Sequence, residues 1–147
     1  MTEIVLPEDT NARGSIFGGR VLSLVDKCAA IVAMRHAHTE VVTASLDSVD
    51  FRSGVRVGDV LVLSGRLNAV FGSSMEIEIE VRSEDPLSGV RRLTTRAFVT
   101  MVAVNPQGRP IAAPGLELAS DEEKDRAGAA AGRRRERIAR RNEPTPR

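Results

Sequence analysis

The sequence predicts an α+β domain in which four or five antiparallel strands curl around one long, almost wholly apolar helix. Three observations carry this. Apolar residues between Gly18 and Ala37 recur at three- and four-residue spacing, the mark of a buried helix. Residues 41–104 are rich in β-branched residues and are cut by Gly, Asp and Pro turns. Those turns are too short for crossover units, so the strands should follow one another as an antiparallel meander.

Taken in order, residues 3–6 form a short apolar-biased piece stopped by Pro7, which suits an edge strand. Residues 7–17 read as a loop, since Pro7, Asp9, Asn11, Gly14 and Ser15 favour turns. The helix runs from Gly18 to Ala37. Val21, Leu24, Val25, Cys28, Ile31 and Val32 make one apolar face. Leu22, Ala29, Ala30 and Ala33 make a second strip beside it, and Asp26 lies on that strip. Arg35, His36 and His38 close the helix, where cations suit the carbonyl end.

Val41 to Phe51 is the first long strand, and Gly54 and Gly58-Asp59 break the chain beyond it. Val60 to Val70 is the next, turning at Phe71-Gly72-Ser73-Ser74. Met75 to Val81 alternates strictly, so one face should be buried and the other, with Glu76, Glu78 and Glu80, acidic and wet. A hairpin turn at residues 85–89 leads to a last strand from Arg92 to Val104. The expected folded unit spans residues 1–118. Beyond it lies a charged tail, 119–147, either a loosely docked helix or disordered. Ser120 followed by Glu123 marks a capping box that would open that helix.

Composition narrows the function classes. The chain has 147 residues and a formal net charge of +1, so it is one domain and no general polyanion binder. Arg133-Arg134-Arg135 and Arg140-Arg141 crowd the tail, but Glu136 and Glu143 interrupt them. Trp and Tyr are absent, which removes the usual platforms for stacking bases. No nucleic-acid partner is expected. A single cysteine, Cys28, excludes an internal disulfide and fits a reducing compartment. The N-terminus has no signal-peptide pattern, and no apolar run reaches ~18 residues, so membrane insertion is not expected and a cytoplasmic protein is. No metal-ligand spacing, phosphate loop or G-x-S-x-G elbow is present, so neither a metal site nor a serine triad is expected.

What remains is a glycine-started helix carrying Asp26, with Asn11 just before it. N–H groups near Gly18 and Gly19 would polarise a carbonyl oxygen, aided by the helix dipole. A carboxylate two turns along would act as general base or nucleophile. The residues alone leave the plainer readings open: Asp26 as a solvated carboxylate, Asn11 as a turn residue, and Gly18-Gly19 as a tight helix entry.

The stretch Leu6-Pro7-Glu8-Asp9-Thr10-Asn11-Ala12-Arg13-Gly14-Ser15-Ile16-Phe17-Gly18-Gly19, followed by Leu24-Val25-Asp26, resembles the hot-dog-fold acyl-CoA thioesterases. The group it is most similar to is the bacterial acyl-CoA hydrolases related to brain cytosolic acyl-CoA hydrolase. The likeness continues through Val41-Val42-Thr43-Ala44-Ser45, Val49-Asp50-Phe51, Val55-Arg56-Val57-Gly58-Asp59 and Gly72-Ser73-Ser74-Met75. It covers roughly residues 4–118. It departs from the family pattern at Ser53-Gly54 and at Lys27-Cys28.

The resemblance implies a hot-dog fold, a long central helix wrapped by a curved antiparallel sheet of about five strands. It implies hydrolysis of acyl-CoA to fatty acid and free coenzyme A, without metal or separate cofactor. Catalytic roles fall on Asp26 and Asn11, supplied by opposite subunits of a dimer, and the dimers of the family often assemble in threes. Carbonyl polarisation falls on the backbone at Gly18 and Gly19. Substrate contacts fall on Phe17, on Phe51 for the acyl chain, on Ser73, Ser74 and Met75 along the pantetheine, and on Arg56, Arg91 and Arg92 toward the phosphates. The alternatives are ordinary core, a plain hairpin turn and a solvated surface. An acyl-CoA binding protein or sensor without turnover, built on the same fold, is the competing function.

Overall fold

A 20-residue helix, α1 (Gly18–Ala37), lies against one face of a five-stranded antiparallel sheet. The computed structural model describes residues 1–144. The strands are β1 (Thr2–Ile4), β2 (Glu40–Phe51), β3 (Val60–Phe71), β4 (Ser74–Glu84) and β5 (Arg91–Val104). A second helix, α2 (Asp121–Arg141), crosses the opposite face. A single 3₁₀ turn, Pro7–Asp9, interrupts the loop before α1.

The helix bounds match the sequence expectation, and so do the five strands. The expected meander holds only in part, because the β2–β3 connection is not a hairpin. Strands β3, β4 and β5 form a meander, but β2 pairs with β5 and not with its successor β3. Residues 52–59 therefore carry the chain from one side of the sheet to the other. The spatial order β1-β3-β4-β5-β2 leaves β1 and β2 as the two edges.

The core forms where the α1 stripe meets the inner sheet face. Val21, Leu24, Val25, Cys28, Ala29 and Ala33 pack against Leu61, Leu63, Met75, Ile77, Ile79, Val99 and Met101. Small side chains on the helix let it approach closely. Gly65 in β3 does the same from the sheet: a Cβ there would stand 2.8 Å from both Val32 Cγ2 and Ile79 Cδ1. Ile31, expected on the core face, is 37% exposed. At ~100° per residue it falls just beyond the buried arc, on the flank away from Asp26. Burial pushes the Cys28 thiol pKa up, as an apolar surrounding should.

The acidic face of β4 is not wet. Glu76 and Glu78 are only 2% and 6% exposed. Arg133 of α2 donates to Glu76 through both Nε (3.1 Å) and Nη2 (2.7 Å), and Asn68 Nδ2 donates to the same carboxylate at 3.1 Å. Arg66 donates twice to Glu78, and Arg82 and Arg96 hold Glu80 at 2.6 Å each. Those two arginines keep the Glu80 carboxyl below its usual range.

Alternation alone reads Glu as solvated, but a neighbouring layer of guanidinium groups satisfies it in place of water. The same layer explains how α2 docks without an apolar stripe. Arg133 stacks over Phe98 at 3.7 Å, Arg134 over Phe71 at 5.1 Å, and Arg137 pairs with Asp47 at 2.8 Å. Only Ala130 of α2 is fully buried. The Ser120–Glu123 capping box opens this helix as expected.

Candidate active site

Asp26 sits two turns into α1, half-buried, on the flank that faces β2. Its partner is Thr43, whose Oγ1 donates to Asp26 Oδ1 at 2.6 Å. Thr43 follows Val41 on the inward face of β2, opposite Met101 of the core. Sequence reasoning attached no role to Thr43. The available signal was its position: a hydroxyl on the inward face of a strand, level with a helix carboxylate.

Asn11 lies in the exposed loop before α1. Its Oδ1 accepts from the N–H of Arg13 at 2.9 Å and of Ser15 at 3.3 Å, which fixes the side chain as a local turn. Among the described residues no hydrogen bond joins it to Asp26. Gly14 (φ +74°) sits in the left-handed region that this turn requires.

The start of α1 is open to approach. Phe17 precedes the helix as its N-cap and supplies no side-chain cap. The first N–H groups of a helix lack intrahelical partners, so those of Gly18 and Gly19 are available to a ligand. The two glycines differ. A Cβ on Gly18 would meet Phe51 Cζ at 3.3 Å, whereas nothing stands within 4 Å of one on Gly19. Gly18 and Phe51 line a cleft of about 390 Å³ with Ser15, Val21 and Thr94. Phe17 and Phe51 are both about half exposed, at 54% and 52%, which is unusual for phenyl rings and leaves them free to meet an apolar group.

The remaining predicted residues separate into groups. Arg56 and Arg92 line one groove of about 520 Å³, which shares Ser53 and Gly54 with the Gly18 cleft. The two adjoin at that segment, and basic side chains line the first. Arg91 is turned to Glu84 and its charge is matched there. Ser73 lies in the β3–β4 turn, with its carbonyl accepting from Ala103 N–H at 2.9 Å. Ser74 lies at the same turn and donates to the Phe71 carbonyl at 3.2 Å. Met75 is 0% exposed and sits in the core, so it cannot line a path for pantetheine. Strand alternation turns it inward beneath the sheet, next to the outward-facing Ser74. Among the described residues no three His, Cys, Asp or Glu side chains are grouped to hold a metal ion. No described helix is long and apolar enough to cross a membrane.

Comparison with known proteins places these features in a family. A family model described as the thioesterase superfamily matches residues 13–90. An acyl-CoA thioester hydrolase of Bacillus subtilis is 38% identical over 122 residues, covering 83% of this chain and 71% of its own. The rat cytosolic acyl coenzyme A thioester hydrolase is 37% identical over 152 residues; the match covers 99% of this chain but only 40% of the longer rat protein.

Among solved structures, an apo-hexameric acyl-CoA thioesterase superposes with a TM-score of 0.91 at 46% identity, over 98% of this chain and 92% of the other. An acyl-CoA hydrolase of Staphylococcus aureus, solved with butyryl coenzyme A, coenzyme A and coenzyme A disulfide, gives a TM-score of 0.87 at 37% identity, over 96% of this chain and 86% of that one. The Staphylococcus protein has also been solved as alanine variants of one aspartate, one threonine and one asparagine.

Proposed function

Because the chain belongs to the thioesterase superfamily, we propose that it hydrolyses acyl-CoA thioesters to a carboxylic acid and free coenzyme A. Asp26 and Asn11 carry the reaction. One observation supports this most directly. In the Staphylococcus hydrolase, the asparagine chosen for replacement precedes the aspartate by 15 residues, and the threonine follows it by 17. Asn11, Asp26 and Thr43 repeat both the residue types and the spacing.

The chemistry is that of a carboxylate beside a helix start. Thr43 occupies Asp26 Oδ1, which leaves Oδ2 for the reaction. Water adds to the thioester carbonyl carbon as Asp26 takes its proton. The carbonyl oxygen gathers charge and is met by the free N–H groups at the start of α1. The carbon–sulfur bond then breaks, and the proton passes from Asp26 to the leaving thiolate. Attack by Asp26 itself, through an anhydride, would give the same products. The cleft under Phe51 suits the acyl group, and the groove at Arg56 and Arg92 suits the phosphates of coenzyme A.

Asn11 completes the site from a second copy. Within one chain its side chain serves its own loop, while strand β2 offers an unpaired edge with Val42, Leu46 and Phe51 exposed. Pairing two such edges covers apolar surface and brings the loop of one subunit toward the Asp26 of the other. Three such dimers then assemble into a hexamer, and the protein works in the cytoplasm.

A thiol-trapping assay over a series of acyl-CoA chain lengths tests the reading. Wild-type protein should release free thiol, and Asp26→Ala should lose about 10²- to 10⁴-fold in rate. Saturable acyl-CoA binding with no turnover at any chain length would instead identify a non-catalytic binding protein.

A further inference from the structure

Arg20 stands in the first turn of α1, where a cation meets the positive end of the helix dipole. That turn holds no acidic side chain, and Phe17 supplies no side-chain cap. The position is unfavourable by itself, so the reason for the guanidinium lies in its partners. Arg20 Nε lies 3.0 Å from Asp9 Oδ1, and Nη2 donates to Glu3 Oε1 at 2.9 Å. One planar fork thus reaches carboxylates on two elements, which the point charge of a lysine does not match. The Asp9 side chain is 13% exposed, so this pair is screened less than an ordinary surface bridge.

Asp9 is the base from which the Asn11 loop departs. Its Oδ2 accepts from the N–H of Leu6 at 3.0 Å, and its carbonyl accepts from the N–H of Phe17, at the other end of the loop, at 2.9 Å. The loop is stiff inside. Thr10 pairs with Ile16, Asn11 N–H donates to the Ser15 carbonyl at 2.9 Å, and Gly14 N–H donates to the Asn11 carbonyl at 2.9 Å. A stiff unit takes its direction from its two attachments. Its returning side is tied to the body by Ile16, whose N–H donates to the Val55 carbonyl at 2.8 Å. Its outgoing side is tied through Asp9 to Arg20. The helix start shares that base, since the N–H groups of Arg20 and Val21 go to the Phe17 carbonyl at 3.0 and 3.3 Å. Those of Gly18 and Gly19 are left free beside it.

We infer that Arg20 is a positioning residue, which through Asp9 sets the angle between the Asn11 loop and the first turn of α1. The amide of Asn11 and the free N–H groups of Gly18 and Gly19 then meet a substrate as one rigid piece. The inference rests on the reading of Asn11 as a member of the reacting pair. Arg20 itself does not touch the substrate, because its charge is matched by Asp9 and Glu3.

Steady-state hydrolysis of an acyl-CoA by the full chain, arranged as a double-variant cycle, tests this. Arg20→Ala should lower kcat about 10- to 100-fold and change KM less than about threefold, since a misdirected amide is missed in the transition state. Asp9→Asn, which keeps the size of the side chain, should do the same. In an Asn11→Ala background, Arg20→Ala should cost less than about threefold more, because the group it directs is already gone. A purely structural loss would multiply in full. Amide hydrogen exchange gives a readout that needs no turnover. Leu6 and Phe17, whose N–H groups bond to Asp9, should exchange about tenfold faster in Arg20→Ala, while Val25 and Cys28 exchange as in the parent. Unchanged kcat in both variants, full multiplication with Asn11→Ala, or unchanged exchange at Leu6 and Phe17 would each overturn the assignment. A wild-type chain without turnover, whose two amides still respond to Arg20→Ala, would overturn the hydrolase reading and uphold the link from Arg20 to the loop.

Discussion

Thr43 Oγ1 donates a 2.6 Å hydrogen bond to Asp26 Oδ1, tying strand β2 to helix α1 at the one carboxylate of the helix interior. The bond fixes the carboxylate rotamer and leaves a single oxygen for chemistry. A hydrogen bond to a charged group contributes about 1.5–3 kcal/mol. Thr43→Val is therefore expected to lower kcat by about 10- to 100-fold, while Thr43→Ser keeps most of it. Steady-state rates beside a thermal melt would check this, and an unchanged kcat in Thr43→Val would remove Thr43 from the site.

A site shared between subunits makes a sharper forecast. Asp26→Ala and Asn11→Ala proteins should each be nearly inactive. Unfolded together and refolded as a mixture, they should regain activity, because each mixed dimer holds one intact pair. Random pairing makes half the dimers mixed, so about a quarter of wild-type activity is expected. No recovery on mixing would place both residues in one chain.

Gly65 is where helix and sheet come closest. A methyl group there meets Val32 and Ile79 at 2.8 Å. Gly65→Ala should destabilise the fold by about 1–3 kcal/mol through overpacking. Urea denaturation would read this as a lower midpoint at constant slope.

Removing Arg133 strands a buried charge. Glu76 has a side chain only 3% exposed and takes two of its hydrogen bonds from Arg133. Arg133→Ala should cost about 3 kcal/mol and free α2 from the sheet. Hydrogen exchange should quicken throughout α2 and leave β4 and β5 protected.

Acid should weaken the same face through Glu80. Its folded carboxyl is held below the ordinary value of 4.5, first by the hydrogen bond from Arg96 and then by that from Arg82. The unfolded chain binds the proton more readily, so this contribution is complete above the ordinary value and is lost as pH falls through the folded one. Glu80→Gln should therefore show a flatter loss of stability on the acid side than the parent protein. Equal acid slopes would contradict the role.

The parts of this fold that sequence reveals are those set by local pattern. Spacing of Val21, Leu24, Val25 and Cys28 fixes α1, and Gly72 and Ser120 mark a turn and a helix start. The placement of β2 beside β5 was not legible, because its partner lies about fifty residues away and no turn dictates it. The fate of Glu76 and Glu78 was hidden for a related reason. Their arginine partners, on α2 and on neighbouring strands, carry no periodic apolar signal, so α2 reads as a loosely docked helix or a disordered tail. At the candidate site, Asp26 was visible as a carboxylate among small apolar residues. Thr43 was not, since only the close approach of strand to helix gives its hydroxyl a partner. Met75 failed as a substrate contact because a turn assignment cannot say which way the next residue points.

Strand β2 is twelve residues long and has a ladder partner on one side only. With a second copy closing that edge, folding and assembly become one equilibrium, and mass action enters the stability of the chain. Dilution should then lower the melting temperature even though no residue has changed. The amount of protein in the cell would set how much of it is both folded and able to turn over substrate.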